Sequence, residues 1–179
     1  MTYCEAVQAM SPDNPHVHYH DEQYGFPIDS DDELFGRLIL EINQAGLSWT
    51  TILKKAENFR KAYANFELRK VAAFNATDRD RLLDDSGIIR NKLKIDAAIH
   101  NAKVILTLQE EFGSFRNWLD HQHPLSKADW VRLFKKTFRF TGGEITGEFL
   151  MSTGYLPGAH QESCPIYQKV LRTKPRWHH

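Results

Sequence analysis

This sequence has little cysteine. Only Cys4 and Cys164 occur in 179 residues, near opposite ends of the chain. A disulfide framework is therefore not expected. It also has no apolar run near the roughly 18 residues needed to cross a bilayer. The first residues, MTYCEAVQAMSPDN, lack the basic start and apolar core of a signal peptide, so a cytoplasmic location is expected. Internal repeats, low-complexity tracts and long linkers are absent. So are convincing runs of alternating apolar and polar residues, which argues against a β-protein. Net charge is absent too: 23 basic residues balance 23 acidic ones, and the total says nothing for nucleic acid.

The distribution of charge says more. Residues 1–53 carry nine acids and one base, Arg37, and the basic residues cluster after them. The clusters include Lys54–Lys55, Arg60–Lys61, Arg90/Lys92/Lys94 and Arg132/Lys135/Lys136/Arg139. Each suits a solvated helix face; phosphate binding needs several to share one surface.

Helical spacing dominates what is present. Ser30 followed by Glu33 reads as a capping box, after which Leu34, Phe35, Leu38, Ile39 and Ile42 recur at helical intervals. Ser48, Asn91, Ser114 and Ser126 read as further caps. Thr77–Asp80 starts a short helix that stops at Gly87, and a last helix lies around Glu144–Ser152. The composition, 41% hydrophobic and 26% charged, suits a globular protein. An all-α fold of seven or so helices joined by short turns is expected.

Two stretches carry chemistry. In Leu82–Lys94, "LLDDSGIIRNKLK", a short glycine-containing turn joins two helices. The unpaired amides and dipole at the start of the second helix favour an anion, and Arg90, Lys92 and Lys94 add positive charge. That is the physics of a helix-hairpin-helix gripping a DNA phosphate, and equally the outline of an ordinary helical hairpin. At the chain ends, His160-x3-Cys164 can present two ligands from one helical turn. Cys4 and one of His16, His18 or His20 would complete a tetrahedral zinc site. Spacing does not choose among those three histidines. In "LEINQAGLSW" (Leu40–Trp49) a carboxylate, Glu41, sits among aliphatic residues just before a glycine turn. It suits either a pocket or an ion pair with Arg37 one turn earlier.

Together these motifs resemble the DNA-3-methyladenine glycosylase I family of base-excision repair enzymes. The matching pieces are Cys4, "YHDEQYGFP" (Tyr19–Pro27), "LEINQAGLSW", "ILKKAENFRKAY" (Ile52–Tyr63), "GIIRNKLKI" (Gly87–Ile95), "FRFTG" (Phe138–Gly142) and "HQESC" (His160–Cys164). They occur in family order and cover nearly the whole chain.

The resemblance implies one glycosylase domain over 1–179, with two closely packed helical lobes and a helix-hairpin-helix at about 78–105. It implies a structural Zn2+ held by Cys4, His20, His160 and Cys164, joining the N- and C-terminal segments. Its substrate would be double-stranded alkylated DNA, bound by a monomer that does not engage membranes. Glu41 would be the catalytic carboxylate that contacts the extruded base, with Tyr19, Tyr24 and Trp49 around the ring. Gly46 and Leu47 would enter the duplex, and Gly87, Arg90, Asn91 and Lys92 would hold its backbone. The implied reaction is hydrolysis of the N-glycosidic bond of N3-methyladenine after base flipping. No lysine stands out as a Schiff-base nucleophile, so no strand cleavage is expected.

The chain departs from the family pattern at Ala6, His16, Tyr24, Ile42 and Gly147. Two other readings stay open, the first because of these departures. One is a relative of altered specificity, or without catalysis, that binds damaged DNA. The other is a zinc-stabilised interaction module with no DNA role.

Overall fold

The computed structural model describes residues 1–179, and it is helical throughout with no strand. Eleven α-helices follow in order: α1 (Tyr3–Gln8), α2 (Pro15–Glu22), α3 (Asp31–Gln44), α4 (Trp49–Ala62), α5 (Leu68–Ala72), α6 (Ala76–Asp84), α7 (Lys92–Phe112), α8 (Phe115–Gln122), α9 (Lys127–Thr137), α10 (Gly143–Ser152) and α11 (Pro165–Arg172). That is more than the seven or so expected. The additional helices α1, α2, α5 and α11 are only five to eight residues long, too short for a periodic pattern to register. No helix is long and apolar enough to cross a membrane.

Most of the predicted caps form. The side chains of Ser30, Ser48, Asn91, Ser114 and Ser126 each accept from the amide three residues on. Two details differ. The Ser30 cap is one-sided, because Glu33 turns away to make a two-pronged pair with Arg60 of α4 at 2.8 and 2.9 Å. The short helix before Gly87 starts two residues earlier than read, at a capping box formed by Asn75 and Asp78.

α3 is the central element. It packs against α4, α7, α8 and α10, and the apolar residues at helical spacing are almost wholly buried. Gly36 lets the Phe66 ring lie directly on α3; a Cβ there would come within 2.4 Å of the ring. The Asp31 carboxylate accepts from the amides of Phe115 and Arg116 and from the Gln109 side chain, tying the start of α3 to the start of α8. One hydrophobic cluster runs from Leu34 to Tyr155, and a small one around Cys4, Cys164, Ile166 and Val170 joins the chain ends. The C-terminal end of α3 emerges from the core beside α2 and α10, and the main cleft opens there.

Candidate active site and metal centre

The cleft has a volume of about 780 Å³, ample for a nucleobase. α2 supplies Tyr19, the turn after it supplies Tyr24, and α3 supplies Glu41. The turn between α3 and α4 supplies Gly46, Leu47 and, at the first position of α4, Trp49. Tyr19 and Trp49 are 5.2 Å apart between ring centroids at 59°, and Tyr19 stacks on Tyr24 at 5.4 Å. The structure therefore brings the four sequence-predicted base-site residues to one cavity.

Glu41 lines this cavity yet is only 3% exposed. Burial pushes its carboxyl up to about 8; Arg37 opposes the shift and Glu148 adds to it. Arg37 does not pair with it. The Arg37 guanidinium donates to the Ser152 carbonyl at 3.3 Å and lies over the Tyr19 ring at 5.3 Å. The pocket alternative for Glu41 is thus the one that forms. Burial also raises the phenols of Tyr19 and Tyr24 well above their ordinary value, so both remain O–H groups at neutral pH.

The turn that follows α3 is built to project. Gly46 has φ of +80°, a conformation that favours glycine, and open space surrounds it. Leu47 next to it is 41% exposed, unusual for so apolar a side chain. Lys94 anchors the turn from behind. Its Nζ donates to the carbonyls of Asn43 and Ala45 at 2.9 and 2.7 Å, satisfying acceptors left free at the end of α3. This corrects the reading of Lys94 as a surface charge: it is buried.

Helices α6 and α7 are joined by a connection over 85–91. Asp85 accepts from the Gly87 amide, and Asn58 and Lys55 of α4 donate to the Gly87 and Ser86 carbonyls. Arg90, Asn91 and Lys92 are exposed, with Gly87 half-buried in the turn before them. Asn91 spends its side chain on the amide of Lys94.

At the chain ends, Cys4, His20, His160 and Cys164 come together, all buried, with ligand atoms within 4.8 Å of one another. Spacing alone left His16, His18 and His20 open; the fold selects His20. His16 bonds to Tyr3 and Thr50, and exposed His18 pairs with Glu22. His160 and Cys164 meet across a turn ahead of α11 rather than within a helix, because Cys164 is the cap residue of α11. A tetrahedral ion with bonds of about 2.0–2.3 Å spaces its ligands roughly 3.3–3.8 Å apart. The observed separations agree: Cys4 Sγ to His160 Nδ1 is 3.8 Å, Cys164 Sγ to His20 Nε2 is 3.7 Å, and His160 Nδ1 to His20 Nε2 is 3.2 Å. The outer ring nitrogens are also held, His20 Nδ1 by Asp21 at 2.6 Å and His160 Nε2 by the Tyr24 carbonyl at 2.6 Å. Such outer partners orient imidazoles toward a metal. The cluster can hold a metal ion, and Tyr24 links it to the cleft.

Three residues at or near the cleft escaped the sequence reading. Tyr3 meets Tyr24 edge-on at 5.6 Å, Glu148 enters from α10, and Lys94 supports the turn. Nothing local marks the first two. Lys94 stood in a basic cluster that suggested solvent.

The chain is similar to proteins of known family. The family model described as methyladenine glycosylase matches residues 9–128. DNA-3-methyladenine glycosylase 1 of Escherichia coli (strain K12) is 34% identical over 177 residues, covering 88% of this chain and 94% of the relative. A variant of 3-methyladenine DNA glycosylase I solved in complex with 3-methyladenine has a TM-score of 0.81 at 30% identity. That match covers 93% of this chain and 97% of the other. The 3-methyladenine DNA glycosylase I of Staphylococcus aureus, solved for the basis of its 3-methyladenine recognition, has a TM-score of 0.78 at 30% identity. It covers 87% of this chain and 93% of the other.

Proposed function

The chain belongs to the methyladenine glycosylase family, and from that premise we propose that it is a DNA repair glycosylase that hydrolyses the N-glycosidic bond of N3-methyladenine in DNA. The observation that carries this is Glu41, a buried carboxyl without an ion-pair partner that faces a cleft walled by Tyr19, Tyr24 and Trp49.

An N3-alkylated adenine in DNA is cationic, and it leaves as a neutral base, so its glycosidic bond is already weak. The protein has to extrude it, hold it and exclude ordinary adenine. Extrusion costs a few kcal/mol of unstacking. Exposed Leu47 on the Gly46 turn fills the space the base leaves. Trp49 and Tyr19 stack on the extruded ring, and cation–π attraction favours the alkylated base. Glu41 meets the hydrogen-bonding edge of the base. Protonated, it donates to a ring nitrogen; ionised, it accepts from the exocyclic amine and stabilises positive charge on base and sugar.

The hairpin of α6 and α7 acts as a helix-hairpin-helix on the phosphate backbone, supported by the short connection and by exposed Arg90, Asn91 and Lys92 beside Gly87. The whole chain works as one domain of two packed lobes, supported by a single main hydrophobic cluster. The Cys4, His20, His160 and Cys164 cluster holds a structural zinc. Two thiols and two imidazoles leave no open position for substrate, so the ion would join the chain ends and take no part in the reaction. No lysine lines the cleft, which supports hydrolysis without strand cleavage.

The test is mass-spectrometric analysis of bases released from methylated duplex DNA. The wild-type chain should release 3-methyladenine, and Glu41→Gln should reduce this strongly. A folded protein that binds duplex DNA but releases no methylated base would refute the reaction.

A further inference from the structure

The cleft holds two further carboxyls on α10, exposed Glu144 at its rim and Glu148. Glu148 of α10 lines the same cavity as Glu41 of α3, and neither makes an ion pair within the chain. Glu148 is half-buried, with the Tyr24 hydroxyl beside it. Carboxyls that share a partly dry cavity cannot all ionise cheaply, so charge and protons are divided among them.

The surroundings divide these unequally. Glu41 is the more deeply buried and its charge is the more costly, despite Arg37. Glu148 also lies in a raised range, because of burial and the charge of Glu144, but Lys127 of α9 and the Tyr24 hydroxyl favour its ionised form. Gly147 is part of this arrangement: a Cβ there would stand 2.8 Å from Lys127 Cε, so the missing side chain leaves Lys127 room to lie across α10. Gly147 is thus beside Glu148 in sequence and against Lys127 in space.

We propose that Glu148 is a specificity-determining residue that accepts from the exocyclic amine of the extruded base, while Glu41 donates to a ring nitrogen next to that amine. This deepens the proposed function and rests on its reading of the cleft. One acceptor and one donor on neighbouring carboxyls match the edge of an adenine, where an amine adjoins ring nitrogens. A guanine offers its O6 and N7 there, two acceptors, and would face a carboxylate with nothing to donate. When ionised, Glu148 also supplies a counter-charge to a cationic ring.

The experiment compares binding of two free bases, 3-methyladenine and 3-methylpurine, which lacks the amine, by calorimetry. Wild type should prefer 3-methyladenine by about ten-fold or more, the worth of one charge-assisted hydrogen bond. Glu148→Ala should bring the two affinities within about two-fold, by weakening 3-methyladenine alone. Glu148→Gln, whose amide oxygen still accepts, should keep much of the preference. Equal preference in wild type and Glu148→Ala would overturn the assignment. A wild type that binds neither base would remove the cleft reading and this inference together. A Glu148-dependent preference without base release from DNA would refute the reaction and leave the inference standing.

Discussion

Arg37 stands one helical turn before Glu41 and does not pair with it. The guanidinium is drawn to the Ser152 carbonyl and the face of Tyr19, and the carboxyl is left facing the cleft. An ion pair there would lower the Glu41 pKa and hide its oxygens. Placing Arg37 under Tyr19 instead stiffens an aromatic wall and leaves Glu41 with its proton.

Glu41→Gln should therefore lose base release and gain stability. In the unfolded chain Glu41 ionises near its ordinary value of 4.5; in the folded chain it does so only near 8. Between those pH values the unfolded state gives up a proton that the folded state keeps, so this group's effect is a fall in stability as pH rises. At pH 8 the variant should be more stable than wild type by about 2–5 kcal/mol, and near pH 4 the two should be alike. Denaturant melts at both pH values check this. A variant less stable than wild type at pH 8 would contradict the burial of an unpaired carboxyl.

Cys164→Ser should separate the chain ends. The thiol lies 3.7 Å from His20 and 3.9 Å from His160, and the small cluster of Ile166 and Val170 packs around it. Loss of one ligand should release the metal and lower stability by several kcal/mol, since binding free energy here is folding free energy. Metal content and melting temperature report the two effects. Full metal content with an unchanged melting temperature would exclude the assignment.

Arg90→Ala and Lys92→Ala should weaken duplex binding regardless of sequence or damage. Each exposed charge that meets a phosphate contributes about one unit to the slope of log affinity against log salt. The double variant should therefore flatten that slope by about 2, with base release at saturating DNA retained. An unaltered slope would remove the hairpin from the DNA interface.

Lys94→Met should loosen the turn that carries Gly46 and Leu47. Methionine keeps the bulk but leaves the Asn43 and Ala45 carbonyls without their donor, at a cost of about 1–3 kcal/mol. Base release should fall more than duplex binding, because the exposed Arg90 and Lys92 proposed to meet phosphates stay in place. Equal losses in both would argue that Lys94 itself meets the DNA.

The sequence by itself determined the local structure and named residues that line the cleft and form the cysteine–histidine cluster. Periodicity carried the long helices, and single hydroxyl or amide side chains marked their starts, because capping is an interaction over three residues. The motif order was enough to name the family, Glu41, Trp49, Tyr19, Tyr24 and the four clustered Cys and His residues. Only the tertiary structure decided which groups face one another. Glu41 suits either a pocket or an ion pair with Arg37 by spacing, and Lys94 looks solvated beside Arg90 and Lys92; the first choice was decided and the second reading overturned once the chain around the end of α3 packed. Glu148 carries no signal of its own, being 107 positions from Glu41 in the sequence. Its role arises from burial in a shared cavity, since desolvation and the charges of neighbouring helices are properties of the packed chain.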